Sequence, residues 1–486
     1  MAGVTGIGSG IDIDSIVKSM VAAERAPKET QLANLEKKTT TQITAIGALK
    51  SAISEFQTAL GGLNKPELFQ ARSATSSKAD QVAVTASTKA GAGSYQVEVK
   101  SLATSSKVAL QPFPNTAEAP AATFGGGTLT FKVGDKSLSV VVDEANNTLA
   151  GIRDAINVGG KDIGLTATIV TDDAGARLVL SSANTGAGED ITVEGKTTNA
   201  GLGSRLLEAL SFDGSIAEPD PSDEAAMALY REGPMTLSKA QSAQISVDGL
   251  LITSKTNKVE GAIEGVTLDL KAKTIANEPL TVTVAEDKAG VKKQIQSFVD
   301  SYNKLIGVIN AQTKVTSVGE GKAPVTGALV GDATARTLLN TIRNELVNVQ
   351  GDGALRALTD IGITTQKDGT LAIDSAKLDE AMASNFGELS GLFTGDKGLA
   401  SRLDAKLKPY TETGGILEQR NKAMTETITK IDDQKEALTR RITSLQERLY
   451  KQFNAMDLLV GQLSNTSSSL LASLENLPWA ASNSKK

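Results

Sequence analysis

Near the C-terminus, Met424, Ile428, Ile431, Lys435, Leu438, Ile442, Leu445, Leu449, Gln452, Met456, Leu459 and Leu463 follow one another at alternating spacings of four and three. Ten of these twelve positions are apolar, so the stretch predicts an amphipathic helix with a coiled-coil seam. Residues 416–463 contain no proline, and their only interior glycine is Gly461. Glu426–Lys430, Glu436–Arg440 and Glu447–Lys451 place each acid four residues before a base, the orientation that supports a helix. At 1.5 Å per residue the helix would be about 70 Å long. A stripe of that length cannot be buried by its own helix and requires a partner. The alternative is one long helix inside a globular bundle.

The opposite end of the chain offers a partner. Leu32, Leu35, Thr39, Gln42, Ile46, Leu49, Ile53, Phe56 and Leu60 repeat the same spacing, and seven of the nine are apolar. Gly61-Gly62 and then Pro66 predict the end of that helix. A shorter helix is predicted from Ile13 to Arg25, ending before Pro27. The chain thus leaves a helical stem, builds its middle, and returns to the stem.

The middle carries strand signals. GTLTFKVGDKSLSVVVD predicts a hairpin around Gly134-Asp135, and QISVDGLLITS another around Asp248-Gly249. Leu165, Ala167 and Ile169 alternate ahead of the turn TDDAG and the strand RLVLSS, and GVTLDLKAKT and LTVTVAED add more strands. Such short strands, separated by turn residues, indicate antiparallel sheets or small barrels. Residues 212–234 hold three prolines and an acidic excess, and read as an exposed mobile loop or a small helical insertion. A helical period returns with Val291, Ile295, Phe298, Val299, Tyr302, Leu305, Ile306 and Ile309. A further helix is expected over residues 333–349, a hairpin around Asp368-Gly369, and a short helix over residues 375–382.

Composition narrows the chemistry. The 486 residues predict about three domains, and the formal charge is −6, from 50 basic and 56 acidic groups. Cysteine and histidine are both missing, which removes disulfides, thiolate nucleophiles, ordinary zinc sites and any His-based triad. An enzyme built from carboxylates, lysine or serine is still allowed. The mild acidity and the lack of a basic run with interleaved aromatics argue against nucleic acid. No run approaches the ~20 apolar residues of a membrane span, and Asp12 and Asp14 interrupt any apolar core of a secretory leader.

The candidate motifs read mostly as structure. Gly6-Ile7-Gly8-Ser9-Gly10 has no preceding strand and no Gly-Lys-Ser/Thr, so it is read as a leader, with Asp12 or Asp14 capping the first helix. Asp172-Asp173 and Asp220, Asp223 and Glu224 lack the spacing of a calcium loop and suit turns. The 16 aromatics are few for a sugar subsite, although a surface lectin-like patch is compatible with them. Lys435 and Gln452 either set the register of the seam or lie at its solvated edge.

Several stretches resemble the bacterial flagellar filament-cap family, also called hook-associated protein 2. These are GIGSGIDIDSIVKSMVAAERAP (residues 6–27), NKVEGAIEGVTLDLKAK (257–273), VKKQIQSFVDSYNKLIGVINAQT, GALVGDATARTLLNTIRNEL and LTDIGITTQKDGTLAIDSAKLDEAM. Residues 148–193 are similar to a short repeat of flagellins and hook-associated proteins. With the C-terminal heptads, the likeness spans nearly the whole chain in order; residues 201–234 show no family motif.

The resemblance implies an α+β multidomain fold: a helical coiled-coil stem from both termini, a mixed α/β leg domain and antiparallel β-rich head domains. It divides the chain into stem helices (1–64), a first leg part (65–100), a head domain with the repeat (101–195), a second head domain (196–284), a second leg part (285–412) and the C-terminal stem (413–486). It also implies a non-enzymatic protein without cofactor, sent through the flagellar export channel to the distal filament tip. There it would form a homo-oligomeric ring of about five subunits and help exported flagellin to fold and insert. The implied partners are other copies of the chain, flagellin, the hook-associated junction proteins, an export chaperone on the C-terminal region, and host mucin. The expected assembly seam is Leu32, Leu35, Ile46, Leu49, Ile53, Phe56 and Leu60 with Met424, Ile428, Ile431, Leu438, Ile442, Leu445, Leu449, Met456, Leu459 and Leu463. A secreted adhesin, a flagellin, a hook–filament junction protein and a carboxylate enzyme are the competing readings.

Overall fold

The structure is a computed structural model that describes residues 10–114, 121–216, 218–319, 321–348 and 353–475. The chain divides into two compact units. One combines residues 1–69 with 289–486, and the other spans residues 70–288.

The first unit is helical. Its N-terminal helix runs without interruption from Ile13 to Leu63, with Asp12 as N-cap accepting from the Ser15 N–H at 3.0 Å. The expected break before Pro27 does not occur. Proline removes one N–H and disfavours helix at the preceding residue. Here Val17 and Leu32, on either side, are both buried, and they hold the helical path through the proline. Gly61 and Gly62 lie in the last turn, and the Asn64 N–H closes the helix on the Leu60 carbonyl.

Ile46, Leu49, Ile53, Phe56 and Leu60 face the unit's main core. That core is completed by the helices Lys288–Thr313, Ala333–Val347, Ser375–Ser384, Phe386–Phe393 and Leu399–Thr411. Aromatic rings join them: Phe56 lies 5.7 Å from Phe298 and 5.8 Å from Tyr302, and Phe298 meets Phe393 edge-on at 6.3 Å. The hairpin Ile363–Thr365/Leu371–Ile373 turns at Asp368-Gly369 and is pinned to the Lys288–Thr313 helix. Asn303 donates to the Leu371 carbonyl at 2.9 Å and accepts from its N–H at 2.7 Å, replacing a missing strand neighbour. The Tyr302 hydroxyl donates to the Gly369 carbonyl, and burial pushes its pKa up to about 12.

The C-terminal helix extends over Ile416–Glu475, beyond the stretch expected from the heptads. Arg420 forks onto Asp332 at 2.9 and 2.5 Å, while Asp332 caps the Ala333–Val347 helix through the Ala335 N–H. The guanidinium holds the Asp332 carboxyl below the usual carboxylate range. A carboxyl shifted this way stabilises the fold above its unfolded pKa, near 3.9, and the contribution is lost as pH falls through the lower folded value. Asp332→Ala is expected to lose about 2–4 kcal/mol at pH 7, the sum of a lost cap and a lost charge-assisted fork. Denaturant titrations should show the difference from the parent chain shrinking below about pH 4.

The second unit is β-rich. One lobe has a five-stranded antiparallel sheet in the order Arg72–Ser76, Leu280–Glu286, Gly93–Ser101, Ala243–Val247, Leu250–Ser254. Lys258–Ile263, Val266–Leu270 and Val82–Ala86 form a second sheet, and Val97, Ile245, Leu268 and Val282 lie in the core between them. The strands drawn from residues 72–101 therefore share sheets with strands from residues 243–286. The other lobe joins the sheet Met235–Ser238, Ser105–Ala109, Gly175–Thr185, Leu165–Asp172 to Lys136–Val142, Gly126–Val133, Ile191–Asn199. The helix Leu149–Gly159 covers its core, in which Phe124, Leu129, Phe131, Ile152 and Leu178 are fully buried.

The expected hairpins form at Gly134-Asp135 and Asp248-Gly249. Asp248 takes the left-handed conformation (φ 48°) that a two-residue turn needs, and its carboxylate accepts from the Gln96 N–H. Asn157, on the covering helix, exchanges two hydrogen bonds with Ala167 of the edge strand (2.9 and 2.8 Å), as Asn303 does in the other unit. Residues 212–234 contain the helix Glu224–Arg231, capped by Asp223. It is anchored by Arg177, a buried side chain that donates to the carbonyls of Arg231 (2.8 Å) and Gly233 (3.0 Å) and pairs with Asp172.

Candidate assembly interface on the terminal helices

The N- and C-terminal helices pair antiparallel, because partner numbers fall on one as they rise on the other. Lys50 meets Glu418 at 3.5 Å, Lys435 meets Glu36 at 2.5 Å, Arg441 meets Glu24 at 2.5 Å, and the Tyr450 hydroxyl donates to Asp14. Their apolar contacts form an inner and an outer zone, with Leu32, Ile431 and Ile442 buried singly between them. The inner zone is continuous with the main core through Leu417 and Met424. The outer zone is a small cluster of Ile13, Val17 and Leu449, flanked by Val21, Leu445, Tyr450 and Phe453.

The expected seam residues divide by position. Leu32, Ile46, Leu49, Ile53, Phe56 and Leu60 are buried, whereas Leu35 is 43% exposed. On the C-terminal helix, Ile431, Ile442 and Leu449 are buried, and Met424, Ile428, Leu438 and Leu445 are half-buried. Met456, Leu459 and Leu463 are 42%, 58% and 69% exposed. The stripe then continues through Leu470, Leu471 and Leu474, all exposed. Spacings of seven from Leu463 to Leu470 and four from Leu470 to Leu474 carried this continuation in the sequence. Ile13 and Val17 also escaped the seam as read from periodicity, although they too are spaced by four.

Polar groups lie mainly along the edges of the pair, although Thr39 is buried, its hydroxyl donating to the Leu35 carbonyl at 2.8 Å. Lys435 is held in its charged form by hydrogen bonding to Glu36, and both side chains are more than a third exposed. Solvent screens such a pair strongly, so it contributes register more than stability. Gln452 is exposed. Lys18 and Tyr450 hydrogen-bond the Asp14 carboxylate and lower its pKa, while the same contact raises that of Tyr450.

The acidic motifs serve local structure. Asp172 accepts from the Ala174 and Gly175 N–H groups of its turn and meets Arg177; Asp220 accepts from Ser222, and Asp223 is a helix cap. The carboxyls whose pKa shift is resolved (Asp14, Glu208, Asp213, Asp220, Asp332 and Asp368) are all lowered, the opposite of what a general acid requires. Among the described residues, no three acidic side chains are gathered to hold a metal, and no helix is long and apolar enough to cross a membrane. The glycine-rich leader at residues 6–9 lies outside the described residues.

Comparison with known proteins agrees with this architecture. Sequence models of the flagellar hook-associated protein 2 N-terminus and C-terminus match residues 9–106 and 240–465. The chain is 48% identical to the B-type flagellar hook-associated protein 2 of Pseudomonas aeruginosa, over 99% of both chains. It is 32% identical to the flagellar hook-associated protein 2 of Escherichia coli, over 97% of both. The crystal structure of the D1-D2-D3 domains of the Escherichia coli flagellar cap protein FliD superposes with a TM-score of 0.59 at 28% identity, covering 78% of this chain and 99% of that one. A two-helix terminal stem, β-rich lobes and these matches along nearly the full length lead to one assignment: the chain belongs to the flagellar hook-associated protein 2 family, the structural filament-cap proteins of the bacterial flagellum.

Proposed function

We propose that this chain caps the distal tip of the growing flagellar filament as a non-enzymatic ring, giving each exported flagellin subunit a sheltered space in which to fold before it inserts. The chain reaches that site through the flagellar export channel, kept soluble on the way by an export chaperone on its C-terminal region, and it meets the hook-associated junction proteins before the filament grows. Adhesion to host mucin would be a second role of the β-rich unit. We assign the two-helix stem to the filament side and the β-rich lobes to the outer plate.

The supporting observation is the apolar stripe of the C-terminal helix, which is covered near Ile442 and Leu449 and exposed from Met456 to Leu474. Exposed leucines in a continuous row are costly in water and mark a contact surface. Copies of the same helix supply a complementary stripe, as self-assembly about a closed symmetry requires.

The test is a chain ended at Phe453. Deleting residues 424–463 would also remove Met424 and Ile431 from the helical unit, so the shorter cut isolates the exposed stripe. The full chain should form rings by electron microscopy and light scattering. The shortened chain should stay monomeric with unchanged thermal unfolding, and should fail to support filament growth in cells lacking their own cap. Filaments of normal length from the shortened chain would overturn the proposal.

A further inference from the structure

Along one stretch between the inner and outer zones of the stem the N-terminal helix contributes no buried side chain, and the covered residues there, Ile442 and in part Leu438, lie on the C-terminal helix. Residues 22–31 of the N-terminal helix are all exposed, between the buried Val17 and the buried Leu32. Pro27 lies in the middle of that stretch, inside the helix. It has no N–H to offer the Ala23 carbonyl, and its ring crowds that carbonyl, so the helix is weakest where it is least supported. Beside it a surface cleft of about 510 Å³ lies between the two helices, lined by Ala23, Pro27 and Lys28 on one side and Gln434, Ala437 and Leu438 on the other. The Glu24–Arg441 ion pair spans it, with both side chains largely exposed.

Beyond the cleft, the outer zone is closed by Ile13, Val17 and Leu449 and by the Tyr450–Asp14 contact. This cluster shares no buried residue with the main core. We propose that Pro27 is a hinge, and that the first turns of the N-terminal helix swing as a rigid arm away from the C-terminal helix while the inner zone stays closed. A helix bends where one backbone hydrogen bond is missing and no side-chain layer resists. Opening the arm exposes the C-terminal stripe from Leu445 onward, joining it to the row already exposed past Met456. The free chain would thus adjust how much stripe it presents. This concerns the monomer and stands apart from the filament-tip reading.

Spin labels test the hinge directly, since the sequence contains no native cysteine. Ser19→Cys with Glu447→Cys reports the outer zone, and Ser51→Cys with Lys422→Cys the inner one; all four positions are exposed. The inner pair should give one narrow distance, and the outer pair a short and a long one with helicity retained. Pro27→Ala should lower the long-distance population about fivefold, the effect of one restored backbone hydrogen bond. Leu449→Ala should raise it about tenfold or more. An outer pair as narrow as the inner one overturns the hinge. So does a Pro27→Ala chain with an unchanged ratio, or a featureless outer distribution accompanied by loss of helical circular dichroism, which would mean unfolding in place of a swing.

Discussion

Phe298→Ala should destabilise the helical unit by about 3–5 kcal/mol and leave the β-rich unit unaffected. Phe298 is fully buried where the N-terminal helix, its own helix and the Phe386–Phe393 helix converge. Its ring contacts Phe56 on one side and Phe393 on the other. Truncation removes the ring's burial and also leaves a cavity that three helices would have to close together. Leucine at the same position fills most of that space and should lose much less. The two units have separate cores, so calorimetry should resolve two transitions. Only the helical one should move, by about 10 °C at 2–4 °C per kcal/mol. A common shift of both transitions, or a shift below about 2 °C, would contradict this.

The second large effect is local. Arg177→Met should free the helix Glu224–Arg231 from its sheet while the lobe keeps its fold. The guanidinium caps the C-terminal end of that helix, where the backbone carbonyls are unpaired and the helix dipole is negative. Methionine retains the buried stem and removes every donor. Losing two hydrogen bonds from a charged donor, with the Asp172 contact partly discounted for its exposure, is worth about 2–4 kcal/mol. Amide exchange across residues 224–231 should then accelerate by about two orders of magnitude, with exchange in the strand Gly126–Val133 unchanged. Equal exchange in variant and parent would show that the anchor is elsewhere.

Both residues illustrate what local pattern carries. Phe298 was legible as a core position because Val291, Ile295, Phe298 and Tyr302 share one helical face, whatever lies across from it. The two-residue turns at Gly134-Asp135 and Asp248-Gly249, and the longer loop around Asp368-Gly369, were legible for the same reason, since a tight hairpin is decided within a few residues. Arg177 was not. It reads as an ordinary surface cation in a strand, and only the fold brings Arg231 and Gly233 against it. Pro27 failed in the opposite direction: its local preference is to end a helix, and packing at Val17 and Leu32 overrode it.

Periodicity and order of motifs along the chain therefore determined the helical ends, the β-rich middle and the family. These depend on spacings of two to seven residues, which a sequence displays directly. Tertiary structure alone decided how far the two seams cover each other. Periodicity marks which residues are apolar on one face but carries no information about where the partner helix begins. The antiparallel register, set through Glu24–Arg441, Glu36–Lys435 and Asp14–Tyr450, brings the start of the N-terminal helix level with Leu449 and Tyr450. One uniform stripe in the sequence is thereby divided into a covered half that holds the chain together and a half, from Met456 to Leu474, that this chain leaves exposed.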